Sequence, residues 1–327
     1  MPPGETPADP SRSWPADATL ADVGEFEVIE ALTALFAQGE HVEVGPGDDA
    51  AVLWSDDDQI LVSTDLMVQD RHFRRDWCSA EDVGHRAAAQ NLSDLNAMGG
   101  RAHSLTLGIA APAHLPLAWL LELGRGFAEE CALAGASVVG GDLTRAEELV
   151  VAVTVLGTCR IDPVLRSGAE PGDVLALAGR QGWAAAGLAV LSRGFRSPRA
   201  MVEAYRRPEP PYAAGPRAAD AGATSLVDVS DGLLADLGHV AAASGVAIDV
   251  RREALAVPEG LRAVAAAMGG DPLDFVLTGG DDHSLAATFP AHVDLPEGWT
   301  AIGTVGAGSG VTVDGTPHEG AAGWTHF

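Results

Sequence analysis

The 327-residue chain contains no lysine; its 20 basic residues are all arginine, against 46 aspartates and glutamates. This absence excludes a P-loop nucleotide-binding protein, whose glycine loop ends in an obligatory lysine, and no such motif occurs. It also excludes the protein-kinase arrangement with its strand lysine; the catalytic-loop HRD is missing too. There is no HExxH, and the ten histidines show no zinc-ligand spacing. GxSxG and GxGxxG are absent, so neither a serine hydrolase nor a nicotinamide-binding unit is suggested. Cysteine is scarce: Cys78, Cys131 and Cys159 form no CxxC pair and are odd in number. A disulfide scaffold is therefore not expected, and a reducing, cytoplasmic setting fits. No apolar stretch reaches 18 residues, so no membrane span is expected. Residues 1–20 are proline-rich and lack a basic start followed by an apolar run, which reads as a disordered leader rather than a signal peptide.

What is present is acid. The formal net charge is −26. Such a field repels phosphate backbones and anionic lipid, so neither nucleic acid nor a membrane is an expected partner. A phosphate-handling protein of this charge needs divalent metal between its carboxylates and its ligand. Apolar residues make up 47% and charged residues 20% of the chain, a globular composition. The length exceeds one ordinary hydrophobic core, so two domains are expected, at 21–160 and 161–327. Helical spacing runs from about Gly24 to Phe36 and from Ser79 to about Met98, with Ser79 and Asp82 as a short capping box and Gly99-Gly100 as a stop. Pro116 opens a further helix over Leu117–Ala134, closed by Gly135. Strands are expected at Val42–Val44, Ala50–Trp54, Gln59–Ser63, along SLTLGIA and SVV, and along LVVAVTVLG. The second half alternates VLALAG, a helix over WAAAGLAVLSRG, a proline-rich loop RRPEPPYAAGP, then strand, turn and helix over TSLVDVSDGLLADLGHVAAASG. It ends with strands near Ser284–Thr288 and Ala301–Val305. The whole reads as α+β, two mixed α/β domains.

Short acidic motifs sit at expected element boundaries. Gly47-Asp48-Asp49-Ala50 lies in a turn, and Ser63-Thr64-Asp65 at a strand end. Asn91-Leu92-Ser93-Asp94 lies on a helix, Gly140-Gly141-Asp142 just past a strand, and Asp228-Val229-Ser230-Asp231-Gly232 at a strand-to-helix junction. Neighbouring carboxylates repel unless a cation lies between them, and Mg2+ takes oxygen ligands. Asp48, Asp49, Asp65, Asp94 and Asp142 are thus candidate ligands to two or more ions. An Asp beside Gly is more often a turn former. Asp94 resists that reading, because it interrupts the packing face between Leu92 and Leu95. Glycine lets backbone N–H groups approach phosphate. Arg71, Arg74, Arg75 and Arg145 could hold phosphate in bidentate fashion, or could simply form surface ion pairs.

The motif order GDDAAVL, STDLMV with a following HF, NLSDLNAMGG, GGDLT, VSDGLLADL, LTGGDDH and GWTHF resembles the thiamine-monophosphate kinases. The likeness runs from about Gly24 to Phe327. Those enzymes belong with aminoimidazole ribonucleotide synthetase, selenophosphate synthetase and a hydrogenase maturation protein. The resemblance implies a PurM-like amino-terminal domain followed by a PurM-like carboxy-terminal domain, paired into a homodimer through the amino-terminal domains. It implies transfer of the terminal phosphoryl group of ATP to thiamine monophosphate, with Mg2+ and an assisting K+. It maps metal ligation onto Asp48, Asp49, Thr64, Asp65, Asp94, Asp142 and Asp231, with catalysis centred on Asp48, Asp94 and Asp231. The nucleotide side falls to Thr64, Gly140, Gly141, Asp142, Arg166 and Ser230. The acceptor side falls to His72, Phe73, Asp281, Asp282 and Trp324. The chain departs from the usual GGEDYE wording at Gly279-Gly280-Asp281-Asp282-His283-Ser284, which touches how the thiamine ring is held. Two other readings remain beside this one: another ATP-dependent reaction of the same superfamily, and an acidic metal-binding dimer without catalysis. Selenophosphate synthesis is disfavoured by the lack of an amino-terminal reactive cysteine, and aminoimidazole ribonucleotide synthesis by the closing GWTHF.

Overall fold

The computed structural model describes residues 14–15, 17–23, 25–44, 52–54 and 59–324. Two compact units interleave along the chain: 1–56, 63–88 and 103–156 in the first, and 57–62, 89–102 and 157–327 in the second.

The first unit contains helices α1 (Leu20–Val23) and α2 (Glu25–Thr33) and a small antiparallel pair, β1 (Val42–Val44) with β2 (Val52–Leu53). Its main sheet is built from β3 (Leu61–Val68), β4 (Arg101–Ala111), β5 (Ser137–Arg145) and β6 (Val150–Thr158), in the order β3-β6-β4-β5. Helix α3 (Ala80–Asn96) begins in this unit, and α4 (Leu117–Ala134) lies within it. The period-2 pattern sends Met67, Leu105, Leu107, Ile109, Val151, Val153 and Val155 into the core. The alternate positions of β3 and β6 stay open: Thr64 and Leu66 are exposed, and Ala152 and Thr154 half-buried.

Capping followed the sequence. Ser79 N–H donates to Asp82 Oδ2 at 2.9 Å, and Asp82 N–H donates back to Ser79 Oγ at 3.1 Å. Gly135 closes α4 in the left-handed region at φ 73°. Two motif placements change. Asp65 lies inside β3 rather than at a strand end, because the run of apolar and β-branched residues continues to Val68. Gly140-Gly141-Asp142 likewise lies within β5, which pairs in parallel with β4 through Arg145.

The second unit has a mixed seven-stranded sheet in the order β13-β12-β9-β11-β7-β10-β8. Its strands are β7 (Val174–Ala178), β8 (Ser225–Val229), β9 (Val246–Val250), β10 (Ser284–Phe289), β11 (Trp299–Ala307), β12 (Gly310–Val313) and β13 (Thr316–Pro317). Helices α5 (Trp183–Ser192), α6 (Arg199–Arg206), α7 (Ala214–Asp220), α8 (Leu233–Ser244), α9 (Glu259–Met268) and α10 (Pro272–Thr278) complete it. The sheet core is alanine-rich, with Ala176, Ala178, Ala214, Ala218 and Ala287 around Phe289 and Trp299, whose rings meet edge to face at 5.5 Å. Sequence periodicity missed α6 and α10. The loop expected over Arg206–Pro216 gives way to α7 from Ala214.

Helices α3 and α4 cross on glycine. A Cβ on Gly84 would overlap the Leu123 carbonyl, and one on Gly126 would overlap the Glu81 carbonyl. Gly84→Ala should therefore destabilise the protein by about 3 kcal/mol in urea unfolding, since backbone rather than a flexible side chain must yield. Gly238→Ala on α8 meets nothing within 4 Å, and should be neutral or stabilising by about 1 kcal/mol.

Candidate active site

The first unit holds part of the expected site. Asp65 is half-buried on β3, and the neighbouring Thr64 hydroxyl shares a 2.8 Å hydrogen bond with Thr154 of β6. Asp142 is exposed on β5, paired in register with Gly108 of β4. β3 and β5 are the two edges of the four-stranded sheet, so about 14 Å of sheet width separates them. Asp65 and Asp142 of one chain therefore do not meet on one ion. The two glycines before Asp142 differ: a Cβ on Gly141 would overlap the Leu107 carbonyl, whereas Gly140 is open. Gly141 is thus required by the pairing of β5 with β4, whatever else approaches it. Asp48 and Asp49 lie outside the described residues.

The following loop corrects one acceptor-side expectation. Phe73 is 0% exposed; it packs in the core and offers no surface to a ring. His72 is half-buried, and its Nδ1 accepts the Val68 N–H at 3.0 Å, which leaves the proton on Nε2 when the ring is neutral. Arg74 is held by Asp76 through two hydrogen bonds of 2.9 and 2.8 Å and lies over Trp77, and Arg75 lies over Trp119. Arg74 is thus engaged in a local ion pair and in stacking, and Arg75 in stacking.

In the second unit, Asp94 is half-buried on the last turns of α3, beside Leu92 and Leu95, each 1% exposed. Further along the chain, three segments singled out by sequence converge. Asp281 N–H donates to the Ser230 carbonyl at 2.9 Å, and Trp324 N–H donates to the Asp231 carbonyl at 2.9 Å. Asp231 N–H and Gly232 N–H both donate to Asp236 Oδ2, at 3.1 and 3.0 Å. The fit leaves no room for side chains. A Cβ on Gly280 would overlap the Ser230 carbonyl, and one on Gly323 would come within 2.5 Å of the Asp231 carbonyl. Gly232 itself has φ 145° and passes beside the Thr278 carbonyl. Ser230, Asp231 and Asp281 are half-buried here, and the Trp324 ring is 67% exposed. Arg166 is exposed elsewhere in this unit, its carbonyl accepting from Ser244 Oγ at 3.1 Å.

Asp282, expected on the acceptor side, is 4% exposed. Its Oδ1 accepts the Ala184 N–H at 3.0 Å at the start of α5, and its buried Oδ2 has no hydrogen-bond partner among the described residues. Burial pushes its carboxyl up to about 7. Burial likewise raises Asp236 to about 7, against the opposing pull of the Gly232 N–H. The departure from GGEDYE also falls on packed positions. His283 is 3% exposed, with Nδ1 3.3 Å from Asp228 Oδ2, and Ser284 Oγ donates to Gln181 Oε1 at 2.7 Å. These side chains fasten the segment to the sheet rather than face a ligand.

Sequence reasoning named Asp228 only within its motif and missed Asp236 and the cluster of Glu81, His85 and Glu129. Among the described residues these last three are the one group of three ligand-capable side chains gathered within 4.8 Å. His85 lies 2.8 Å from buried Glu130 and 3.2 Å from Glu129, which ties α3 to α4. The helical i, i+4 spacing of Glu81 and His85 was the available signal. No disulfide joins Cys78, Cys131 and Cys159; Cys78 and Cys131 are buried, and burial raises the Cys131 thiol far above the range of a nucleophile.

Fold and motif order together define a two-domain α+β protein of the aminoimidazole ribonucleotide synthetase-related class. Residues 47–159 match the family model described as AIR synthase related protein, N-terminal domain. The thiamine-monophosphate kinase of Mycobacterium tuberculosis is 47% identical over 314 residues, covering 94% of this chain and 93% of that one. The crystal structure of thiamine-monophosphate kinase from Stenotrophomonas maltophilia superposes with a TM-score of 0.79 at 33% identity, covering 90% of this chain and 98% of that one. The structure of AaThiL complexed with AMPPCP and TMP gives a TM-score of 0.79 at 30% identity, covering 95% and 99%. The chain belongs to the thiamine-monophosphate kinase family.

Asp282 sets a pH dependence of stability. Its folded pKa, about 7, lies above its ordinary 3.8, so the folded protein holds a proton that the unfolded chain has released. That contribution is full below about 4 and is lost as pH rises to about 7. Asp282→Asn keeps the oxygen facing Ala184 and removes the titration. Urea midpoints at pH 5 and pH 8 should differ less for the variant than for the wild type, by roughly 2–3 kcal/mol in stability. Parallel pH curves would refute this.

Proposed function

We infer that the protein transfers the γ-phosphoryl group of ATP to thiamine monophosphate, yielding thiamine diphosphate and ADP. The observation that carries this reading is the junction of Ser230–Gly232, Gly280-Asp281 and Gly323-Trp324. It joins, through backbone hydrogen bonds, residues that the family resemblance assigns to metal, nucleotide and acceptor. The kinship with enzymes of that name over nearly the whole chain supports it.

The chemistry follows from charge. A phosphate monoester has its second pKa near 6, so the acceptor is already a nucleophile at neutral pH and no strong general base is needed. The task is to hold two anions together. The candidate ligands are all oxygen donors, the set Mg2+ takes. In the first unit Asp65 and Asp142 would hold separate ions, with Asp48, Asp49 and Thr64 as further ligands; in the second unit Asp94 and Asp231 are the ligand candidates. Bound Mg2+ neutralises phosphate charge. K+ assists in the same reading. The family resemblance gives the nucleotide side to Ser230, which lies in the junction, and to Arg166, which lies outside it. Asp281 and the exposed ring of Trp324 receive the acceptor, whose flat cationic ring suits stacking on an indole.

The assembly we propose is a homodimer through the first unit. The open face of its sheet, with Leu66 54% exposed beside half-buried Ala152 and Thr154, supports that partner. A cytoplasmic location suits cysteines that form no disulfide. None of the described helices is long and apolar enough to cross a membrane.

ADP release should require thiamine monophosphate, with free thiamine inactive, and mass spectrometry should find thiamine diphosphate; phosphorylation of free thiamine alone would refute the assignment. Light scattering should return close to twice the 33.5 kDa chain mass, and an active monomer would refute the dimer. Asp94→Asn should cut turnover at least about 100-fold, with partial recovery at high Mg2+ and an unchanged melting temperature without metal. Near-normal turnover would remove Asp94 from the site.

A further inference from the structure

The loop that carries Asp231 can present its carboxylate in one direction only if its backbone is held, and the structure shows what holds it. The peptide groups on both sides of Asp231 are engaged. Its own N–H and that of Gly232 point at one oxygen of Asp236, and its carbonyl receives the N–H of Trp324. Asp236 is 3% exposed. It sits one turn into α8, and its own N–H donates to the Gly232 carbonyl at 2.9 Å, closing a ring across the loop. A carboxylate that only capped the helix would need one of the two N–H groups; this one takes both, including that of Asp231 itself.

We propose that Asp236 is a positioning residue: its Oδ2, accepting from two consecutive N–H groups, fixes the Asp231 carboxylate where a divalent cation and phosphate are bound. The proposal rests on the assignment of Asp231 to the metal. Asp236 touches no substrate; it acts through the backbone of its neighbour. The requirement is for an accepting oxygen at one place, not for a charge. That distinguishes positioning from electrostatics, because asparagine supplies the oxygen without the charge, and glutamate supplies the charge one methylene out of place.

The test compares Asp236→Asn, Asp236→Glu and Asp236→Ala with wild type. Asp271→Ala serves as control: Asp271 caps α10 by accepting the Leu273 N–H at 3.0 Å, at the end of that helix opposite to the one that leads into Gly280-Asp281. Two readouts are taken on folded protein: binding of Mn2+ as a probe, from the paramagnetic resonance of the free ion, and kcat with the half-saturating Mg2+ concentration. Asparagine should keep at least about half of wild-type Mn2+ affinity and turnover. Glutamate and alanine should lose about tenfold or more in kcat, with weaker Mn2+ binding, since small misplacements of a reacting group cost this much. Asp271→Ala should lower the melting temperature and leave both readouts unchanged. If alanine does not fold, the contrast between asparagine and glutamate decides. The proposal is overturned if asparagine is as damaged as glutamate, or if glutamate and a folded alanine variant match wild type. Wild type that binds Mn2+ but shows no acceptor-dependent ADP release would instead refute the function, while the Mn2+ comparison would still judge Asp236.

Discussion

The backbone hydrogen bonds of Ser230–Gly232 are the constraint on which the candidate site of the second unit depends. Two successive peptide groups are committed at all four of their polar atoms: the Ser230 carbonyl to Asp281, the Asp231 carbonyl to Trp324, and the Asp231 and Gly232 amides to Asp236. Each partner belongs to a different stretch of chain. Glycines stand wherever two of these stretches touch, because a single Cβ at Gly280 or Gly323 would collide with a carbonyl of the loop. Ser230, Asp231, Asp281 and Trp324, which the family resemblance distributes among metal, nucleotide and acceptor, are therefore held together by backbone contacts. Tight backbone packing, rather than side-chain contact, sets their relative positions.

Charge is the second organising term. A chain with −26 net charge and no lysine has few cations to spend. Arg74 and Arg75 are engaged with Asp76 and two tryptophans, and Arg180 lies over Trp183 while paired with Glu209. In the proposed reading a divalent ion neutralises the carboxylates of the site. Where burial is deep and no ion is expected, at Asp236 and Asp282, the alternative response appears: the carboxyl group is pushed toward its neutral form.

Much of this was legible in the amino-acid order. Ser79 with Asp82, Pro116 and Gly135 marked their helix ends because capping chemistry is local. The α+β class followed from switches between period 2 and period 3.6. The acidic motifs could be picked out because carboxylates crowded beside glycine need a reason. The ordered set of motifs then pointed to the family. Burial was not legible. Phe73 and Asp282 sit in motifs that read as ligand-facing, yet both are enclosed, since whether a motif residue points outward depends on what packs over it. The strand-end positions of Asp65 and of Gly140–Asp142 were also misjudged, because a strand's length is settled by the neighbours it pairs with.

Composition, capping, element type and the identity of the chemically able residues were determined by the sequence alone, each resting on interactions within a few residues along the chain. Only the tertiary structure decided that Asp65 and Asp142 stand on opposite edges of a sheet, that Gly141 serves strand pairing, and that Asp236 holds Asp231. Those outcomes depend on contacts between segments far apart in the chain, and no local pattern of residues encodes which distant carbonyl a backbone amide will meet.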